Sequence, residues 1–394
     1  MKKLLLATAA AGLVAGTAAA DEVKMGVLLG FTGPIESITP NMAASAELAI
    51  AEANESGLFL GGTTIVPVRA DSTCLDNSAA TAAAERLVTA EGVMAIMGAD
   101  CSGVTRGVLE NVAMVHGVPM ISPSATSPAF TDLETGGLFF RTSPSDARQG
   151  RVLAEVILER GIDNVAVTFT QNDYGRGLAE AFVGSFTELG GSVTTSDPHE
   201  DGKGDYSAEV GVLAASGGDA LVVLGYADQG GVGIIQNAVE SGAFETFVLA
   251  DGMYAQSLID TIGPDLNGSF GVVPWSIGEG PAQFAELANA AGVDPDTSYT
   301  RESYDAAALL ILAAQATGST DPAEIAANVL NVANAPGEPI MPGDLARALQ
   351  ILADGGEVDY VGATNVELIN EREASGTFRE YTITDGTFVE DRIH

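Results

Sequence analysis

The sequence predicts an α/β protein of two doubly wound lobes, each a parallel sheet with helices on both faces. Three observations carry this. Short strands rich in Val, Ile and Leu alternate with Ala-rich helical segments, and strand-then-helix repetition of this kind yields parallel sheets. The repetition falls into two series, residues 21 to about 142 and about 143 to 272. At 394 residues the chain is also too long for one ordinary domain.

Strands are expected at Val23–Leu29, Thr64–Ala70, Val93–Met97, Val118–Ile121, Val165–Thr170, Ala220–Gly225 and Phe247–Ala250. Helices are expected at Met42–Asn54, Ala79–Thr89, Gln149–Glu159, Gly177–Glu188 and Gln229–Glu240. Gly57, Gly161, Gly190 and Gly242 each follow a helical run, where a left-handed closing residue is wanted. A later helical block, Tyr299–Ala316, Pro322–Asn331 and Asp344–Leu352, must rejoin one of the lobes. The chain then ends in strands Phe378–Thr384 and Thr387–Arg392 around an Asp385-Gly386 turn.

The first twenty residues read as an export signal. Lys2 and Lys3 precede an apolar run, Leu4 to Val14, and Ala18-Ala19-Ala20 offers a small-residue cleavage site before Asp21. The run is shorter than the roughly 20 apolar residues of a spanning helix. With 17 basic and 53 acidic residues the formal charge is −36, which repels nucleic acid and anionic membranes. Most of that acidity reads as solvated surface. Two cysteines in an exported chain read most simply as one disulfide, Cys74–Cys101.

Catalytic signatures are missing. The three histidines, His116, His199 and His394, are far apart in sequence and form no two-His metal motif. His116 is expected at a helix C-terminus and His394 at a disordered chain end. Neither a phosphate loop nor a Gly-x-Gly-x-x-Gly fingerprint occurs, so no nucleotide cofactor and no metal are expected.

The segment Met97-Gly-Ala-Asp-Cys-Ser-Gly-Val-Thr105 instead reads as a small-molecule cradle. A short strand delivers Ser102 to a helix beginning near Val104, whose free N–H groups attract an anion such as a carboxylate. Open parallel sheets bind ligands beyond the carboxyl ends of their strands, so two facing sheets would make a cleft with loops on both walls.

Gly33-Pro34 after the first strand, Cys74 with Cys101, Ser102, Ile121-Ser-Pro-Ser-Ala-Thr-Ser-Pro128 and Asn172-Asp-Tyr-Gly-Arg-Gly-Leu178 resemble the branched-chain amino-acid binding proteins of bacterial ABC importers. Order and spacing match over most of the chain. The resemblance implies a type I periplasmic binding protein, with two lobes joined by a three-crossover hinge that closes on the ligand. It implies lobes of 21–142 with 273–370 and of 143–272 with 371–394, after a signal peptide at 1–20.

The resemblance also assigns roles. Ser102 would offer its hydroxyl and N–H to a ligand carboxylate, and Thr126 would share that task while its loop carbonyls receive the ammonium. Ser124 would present its carbonyl to the ammonium, Tyr174 and Tyr226 would close over the ligand, and Asp251 would pair with the ammonium. Each has a structural alternative: Ser102 and Thr126 as caps, the tyrosines as packing, Asp251-Gly252 as a turn. Tyr299 is a weaker candidate, with helix packing as its alternative, and Trp275 is expected to pack in the hinge. The function implied is a monomeric, non-enzymatic periplasmic receptor delivering a neutral or branched-chain amino acid to ABC permease subunits. The alternatives are a sensor of the same fold for an amide or other small metabolite, and a secreted two-domain enzyme.

Overall fold

In the computed structural model, which describes residues 21–370 and 372–394, the chain forms β1 (Glu22–Leu29), β2 (Thr64–Asp71), β3 (Ile96–Gly98), β4 (Met120–Ser122) and β5 (Phe139–Arg141). A second series follows: β6 (Asn164–Thr170), β7 (Ser192–His199), β8 (Ala220–Leu224), β9 (Phe247–Leu249) and β10 (Phe270–Pro274). The remaining strands are β11 (Glu338–Ile340), β12 (Val358–Tyr360), β13 (Leu368–Ile369), β14 (Glu373–Ala374), β15 (Phe378–Thr384) and β16 (Thr387–Ile393). The expected signal at 1–20 lies outside the described residues. Among those described, no helix is long and apolar enough to cross a membrane.

Two seven-stranded sheets result, ordered β13-β14-β5-β4-β3-β1-β2 and β16-β15-β10-β9-β8-β6-β7. Within β1–β5 and within β6–β10 all pairing is parallel. The central strands are buried along their length, as β8 (Ala220–Leu224) shows, because helices cover both faces of a parallel sheet. In each sheet the chain order reverses once, between β1 and β3 and between β6 and β8. These are the switch points at which a crevice opens.

Several elements differ from expectation. The edge strand β7, Ser-Val-Thr-Thr-Ser-Asp-Pro-His, has no apolar run and contains Pro198, which only an edge tolerates. It was therefore silent in the sequence, as were the short β5 and β10. The structure adds helices Ser207–Ser216, Gln256–Ile262 and Glu279–Ala291.

The lobe boundaries shift as well. β10 stays on the second sheet through Pro274, so the changeover expected at 272/273 lies beyond that residue. β14 pairs Glu373 with Arg141 on the first sheet, and only from Phe378 is the chain on the second. The changeover expected at 370/371 thus falls after Ala374. Strands of two residues have too little pattern to mark a boundary, and here the buried ion pair of Arg141 with Glu373 fixes it.

Trp275, the only tryptophan, lies at this hinge. The Arg301 and Arg379 guanidinium carbons sit 3.6 and 3.4 Å from its ring centroid. Two guanidinium groups that close to one centroid must cover opposite faces, so the indole is sandwiched.

The histidines are structural. His116 closes its helix before Gly117 and contacts Glu85 at 3.0 Å. His394 is no loose end, since its N–H and C=O both pair with Phe378 and its ring meets Glu380. His199 is buried, with Nδ1 2.9 Å from the Thr168 hydroxyl, and burial lowers its pKa from 6.5 to about 4. The unfolded chain takes up that proton near pH 6.5 while the folded chain resists until about 4. Stability is therefore lost as pH falls through that window, by about 2 kcal/mol between roughly pH 7 and 5. Buried Glu302 and Asp305, raised to about 7 and about 6, act in the opposite sense. His199→Asn should remove only the histidine contribution, so the change in unfolding free energy between the two pH values, read by urea titration, should differ between parent and variant by about that amount.

Candidate functional site

The loops beyond the two switch points meet in one cavity. From the first lobe come Ile35 and Ile38 after β1, Asp100, Cys101 and Ser102 after β3, and Ser124 after β4. From the second come Tyr174 after β6, Tyr226 after β8, and Asp251 and Gly252 after β9, with Tyr299 from the segment leading into helix Thr300–Thr317. The cavity they surround is only about 20 Å³, below the range of ligand pockets, so the lobes must part to admit a ligand.

One pole of the cavity is suited to an anion. The helix starts at Ser102, two residues earlier than expected, so the serine itself occupies its first turn. Its hydroxyl accepts from the Ser127 N–H at 3.1 Å, which leaves the Ser102 proton free to donate. The loop is held by the Cys74–Cys101 disulfide, with Cα atoms 5.2 Å apart. Asp100 adds a second tie, accepting from the Gly30 N–H at 2.5 Å, the Ser72 hydroxyl at 2.8 Å and the Cys101 N–H at 2.9 Å.

The opposite pole is acidic. Asp251 accepts from Gln149 at 2.7 Å and Tyr174 at 2.9 Å on one oxygen, and from Tyr299 at 2.6 Å on the other. Burial raises its pKa against these stabilising bonds. Burial, then the Asp251 charge, drives the Tyr174 and Tyr299 hydroxyls well above their usual range, so both stay protonated donors. Tyr174 stacks on Tyr226 with ring centroids 5.2 Å apart. The Asp251–Met253 segment is indeed a turn, and it doubles as a wall of the cavity. A side chain at Gly252 would sit 2.4 Å from the Gly225 carbonyl and 3.0 Å from the Tyr174 hydroxyl, so glycine is required for that approach.

Ser102, Ser124, Tyr174, Tyr226 and Asp251 are thus brought together, whereas Thr126 is not among the lining residues. Thr126 is fully buried, with its hydroxyl beside the Asp146 carboxylate. Its carbonyl receives the Asp146 N–H at 2.9 Å. The flanking carbonyls of Ala125 and Ser127 both receive the fully buried Arg141 guanidinium, at 2.9 and 2.8 Å. The expectation that this loop's carbonyls receive an ammonium therefore meets a competitor at two of them, because the buried arginine must be satisfied and already draws on Ala125 and Ser127.

Tyr299 moves the other way, from a helix-packing alternative to a direct partner of Asp251. Its φ of 63° is left-handed, a conformation a tyrosine adopts only where its surroundings demand it. Trp275 stays in the hinge, outside the cavity lining. Gln149 and Asp100 were not singled out in the sequence, because Gln149 lies inside a helical run and Asp100 is one acid among 53. The Asp100-Cys101 adjacency was the one available signal. Asp146, fully buried beside the Thr126 hydroxyl, was also missed. Burial, then the nearby charge of Asp251, raises its pKa well above the ordinary carboxylate range.

Two doubly wound lobes whose strand-end loops converge on one cavity define the class of two-lobed α/β binding proteins. The chain belongs to the periplasmic binding protein family, whose model matches residues 22–348. Within it the chain groups with the branched-chain amino-acid binding proteins. It is 31% identical over 332 residues to Leu/Ile/Val-binding protein homolog 1 of Brucella melitensis, covering 82% of this chain and 87% of that one. It is also 29% identical over 379 residues to BasB, a substrate-binding protein of a chemotactic signal transduction system in Halobacterium salinarum, covering 93% and 88%. Among solved structures, the isoleucine complex of LivJ from Streptococcus pneumoniae superposes with a TM-score of 0.75 at 22% identity, over 94% of this chain and all of that one. A 4-hydroxybenzoate-binding protein of R. palustris superposes at 0.73 and 20% identity, over 95% of this chain and 97% of that one.

Proposed function

We propose that the protein is the periplasmic substrate-binding component of an ABC importer, exported through residues 1–20, that binds a neutral, branched-chain amino acid and passes it to the permease without chemical change. The observation that carries this is the pairing of two poles across one small cavity. Ser102 at a helix start suits a carboxylate, and Asp251 opposite suits an ammonium, with the Ser124 carbonyl available as its second acceptor. Ile35 and Ile38 supply an apolar wall between them, which suits an aliphatic side chain. Tyr174 and Tyr226 complete the enclosure.

An aromatic acid such as 4-hydroxybenzoate fits this arrangement less well. It carries no cation, and Asp251 would then face the ligand as an uncompensated buried carboxylate. A sensory role is the second reading, favoured by the BasB relative, and it uses the same cavity.

A thermal-shift series with L-leucine, L-isoleucine, L-valine, benzoate and 4-hydroxybenzoate tests the ligand class. A compound at 100 times its Kd should add about 2.7 kcal/mol of stability, and the aliphatic amino acids should do so at the lowest concentrations. Stabilisation by the benzoates alone would overturn the zwitterion assignment. Uptake of the bound amino acid into vesicles bearing the partner permease, dependent on added protein, separates importer from sensor.

A further inference from the structure

Three contacts join the lobes at the rim of the cleft, a fourth braces them from within the second lobe, and none involves a residue that lines the cavity. The Asp228 N–H donates to the Pro34 carbonyl at 3.1 Å. The Asp228 carboxylate accepts from the Ser37 N–H at 2.9 Å and, on its other oxygen, from the Ser257 hydroxyl at 2.6 Å. The Ser257 and Ser37 hydroxyls lie 3.2 Å apart. Pro34 and Ser37 belong to the loop after β1 on the first lobe. Asp228 follows β8, and Ser257 opens the helix after β9, both on the second.

We propose that Asp228 is the latch of the closed cleft, a positioning residue that sets how long any ligand stays without touching it. The inference rests on the binding reading above and adds what governs release. Asp228 grips the strip between Ile35 and Ile38, the two residues that form the apolar wall. Holding that strip down keeps the wall on the ligand. The carboxylate is two-pronged, and each oxygen takes a donor from a different lobe, so closure completes the set and opening strips Ser37 away. A contact made only in the closed state slows opening and leaves encounter unchanged. Because the latch meets protein alone, its loss should weaken all ligands by one common factor, whereas a change in the cavity wall should reorder them.

The chain's single tryptophan supplies the readout. Trp275 is stacked by Arg301, from the first-lobe helix Thr300–Thr317, and by Arg379 on β15 of the second lobe, so hinge opening alters its surroundings. Stopped-flow fluorescence with L-leucine, L-isoleucine and benzoate as probes measures association and release for the parent, Asp228→Ala and Asp228→Asn. Asp228→Ala should speed release roughly tenfold for every probe that binds the parent, with association within about twofold. Asp228→Asn should recover most of the loss, since its oxygen can accept from Ser37 while its amide donates to Ser257. Unchanged release in Asp228→Ala, or a factor that differs between probes, overturns the latch. Binding of benzoate in place of the amino acids overturns the ligand class and leaves the latch measurement standing. A ligand-independent check is the double variant Ser37→Cys with Ser257→Cys in a glutathione redox buffer. A new cross-link on mass analysis is expected, and its absence means that the two rims do not meet, which also overturns the proposal.

Discussion

Asp251→Asn is expected to weaken amino-acid binding by about 2 to 5 kcal/mol, the range for breaking a buried charge pair, while leaving the fold as stable as before or more so. The asparagine keeps the shape and the bonding. Its oxygen can still accept from Gln149 and Tyr174, and its amide can donate to a Tyr299 hydroxyl that turns its proton away. What disappears is the charge. Without a ligand cation that charge is a cost, because burial raises the Asp251 pKa and its field raises that of Asp146. Function and stability should therefore move in opposite directions. Calorimetric titration with L-leucine beside a thermal melt at neutral pH measures both. Parent-like affinity would mean that the ammonium is held elsewhere. A collapse of the melting temperature would make Asp251 a structural residue.

Removing the disulfide as Cys74→Ser with Cys101→Ser should cost roughly 3 to 4 kcal/mol of first-lobe stability, from the entropy of the loop it closes. The two cysteines stand 27 residues apart in the chain, and the bridge ties the loop after β2 to the start of the Ser102 helix. Ligand affinity should fall too, because Cys101 directly precedes the serine assigned to the carboxylate. Urea denaturation of parent and variant reads the first effect and calorimetry the second. Thiol titration of the denatured, unreduced parent should find no free thiol, and two would remove the bridge from the account.

Much of the lobe architecture was legible because it rests on local chemistry. Long apolar strands such as β1, β6 and β8 and capped helices such as Thr39–Ser56, closed by left-handed Gly57, write their pattern into consecutive residues. β7, β13 and β14 do not, since their stability comes from neighbours already in place. The same division runs through the site. Ser102, Ser124, Tyr174, Tyr226 and Asp251 each follow a readable strand, so their convergence could be expected once two facing sheets were inferred. Thr126 sits on an equally readable segment and yet is not among the lining residues, buried where Arg141 on the short β5 holds the carbonyls on either side of it.

The sequence by itself determined the alternation of strands and helices, the two series, the pair of cysteines, the lack of catalytic and nucleotide motifs, and the strand-end residues that furnish the cavity. Those properties are encoded in periodicity, composition and short motifs, which act over a few residues. The tertiary structure decided which polar groups remain free, and that depends on partners far away in the chain. Asp251 meets Gln149 and Tyr299 across 102 and 48 residues. Asp228 meets Ser37 across 191. A hydrogen bond needs its donor within about 3 Å, and at such separations only the packing of two lobes about a hinge can supply it.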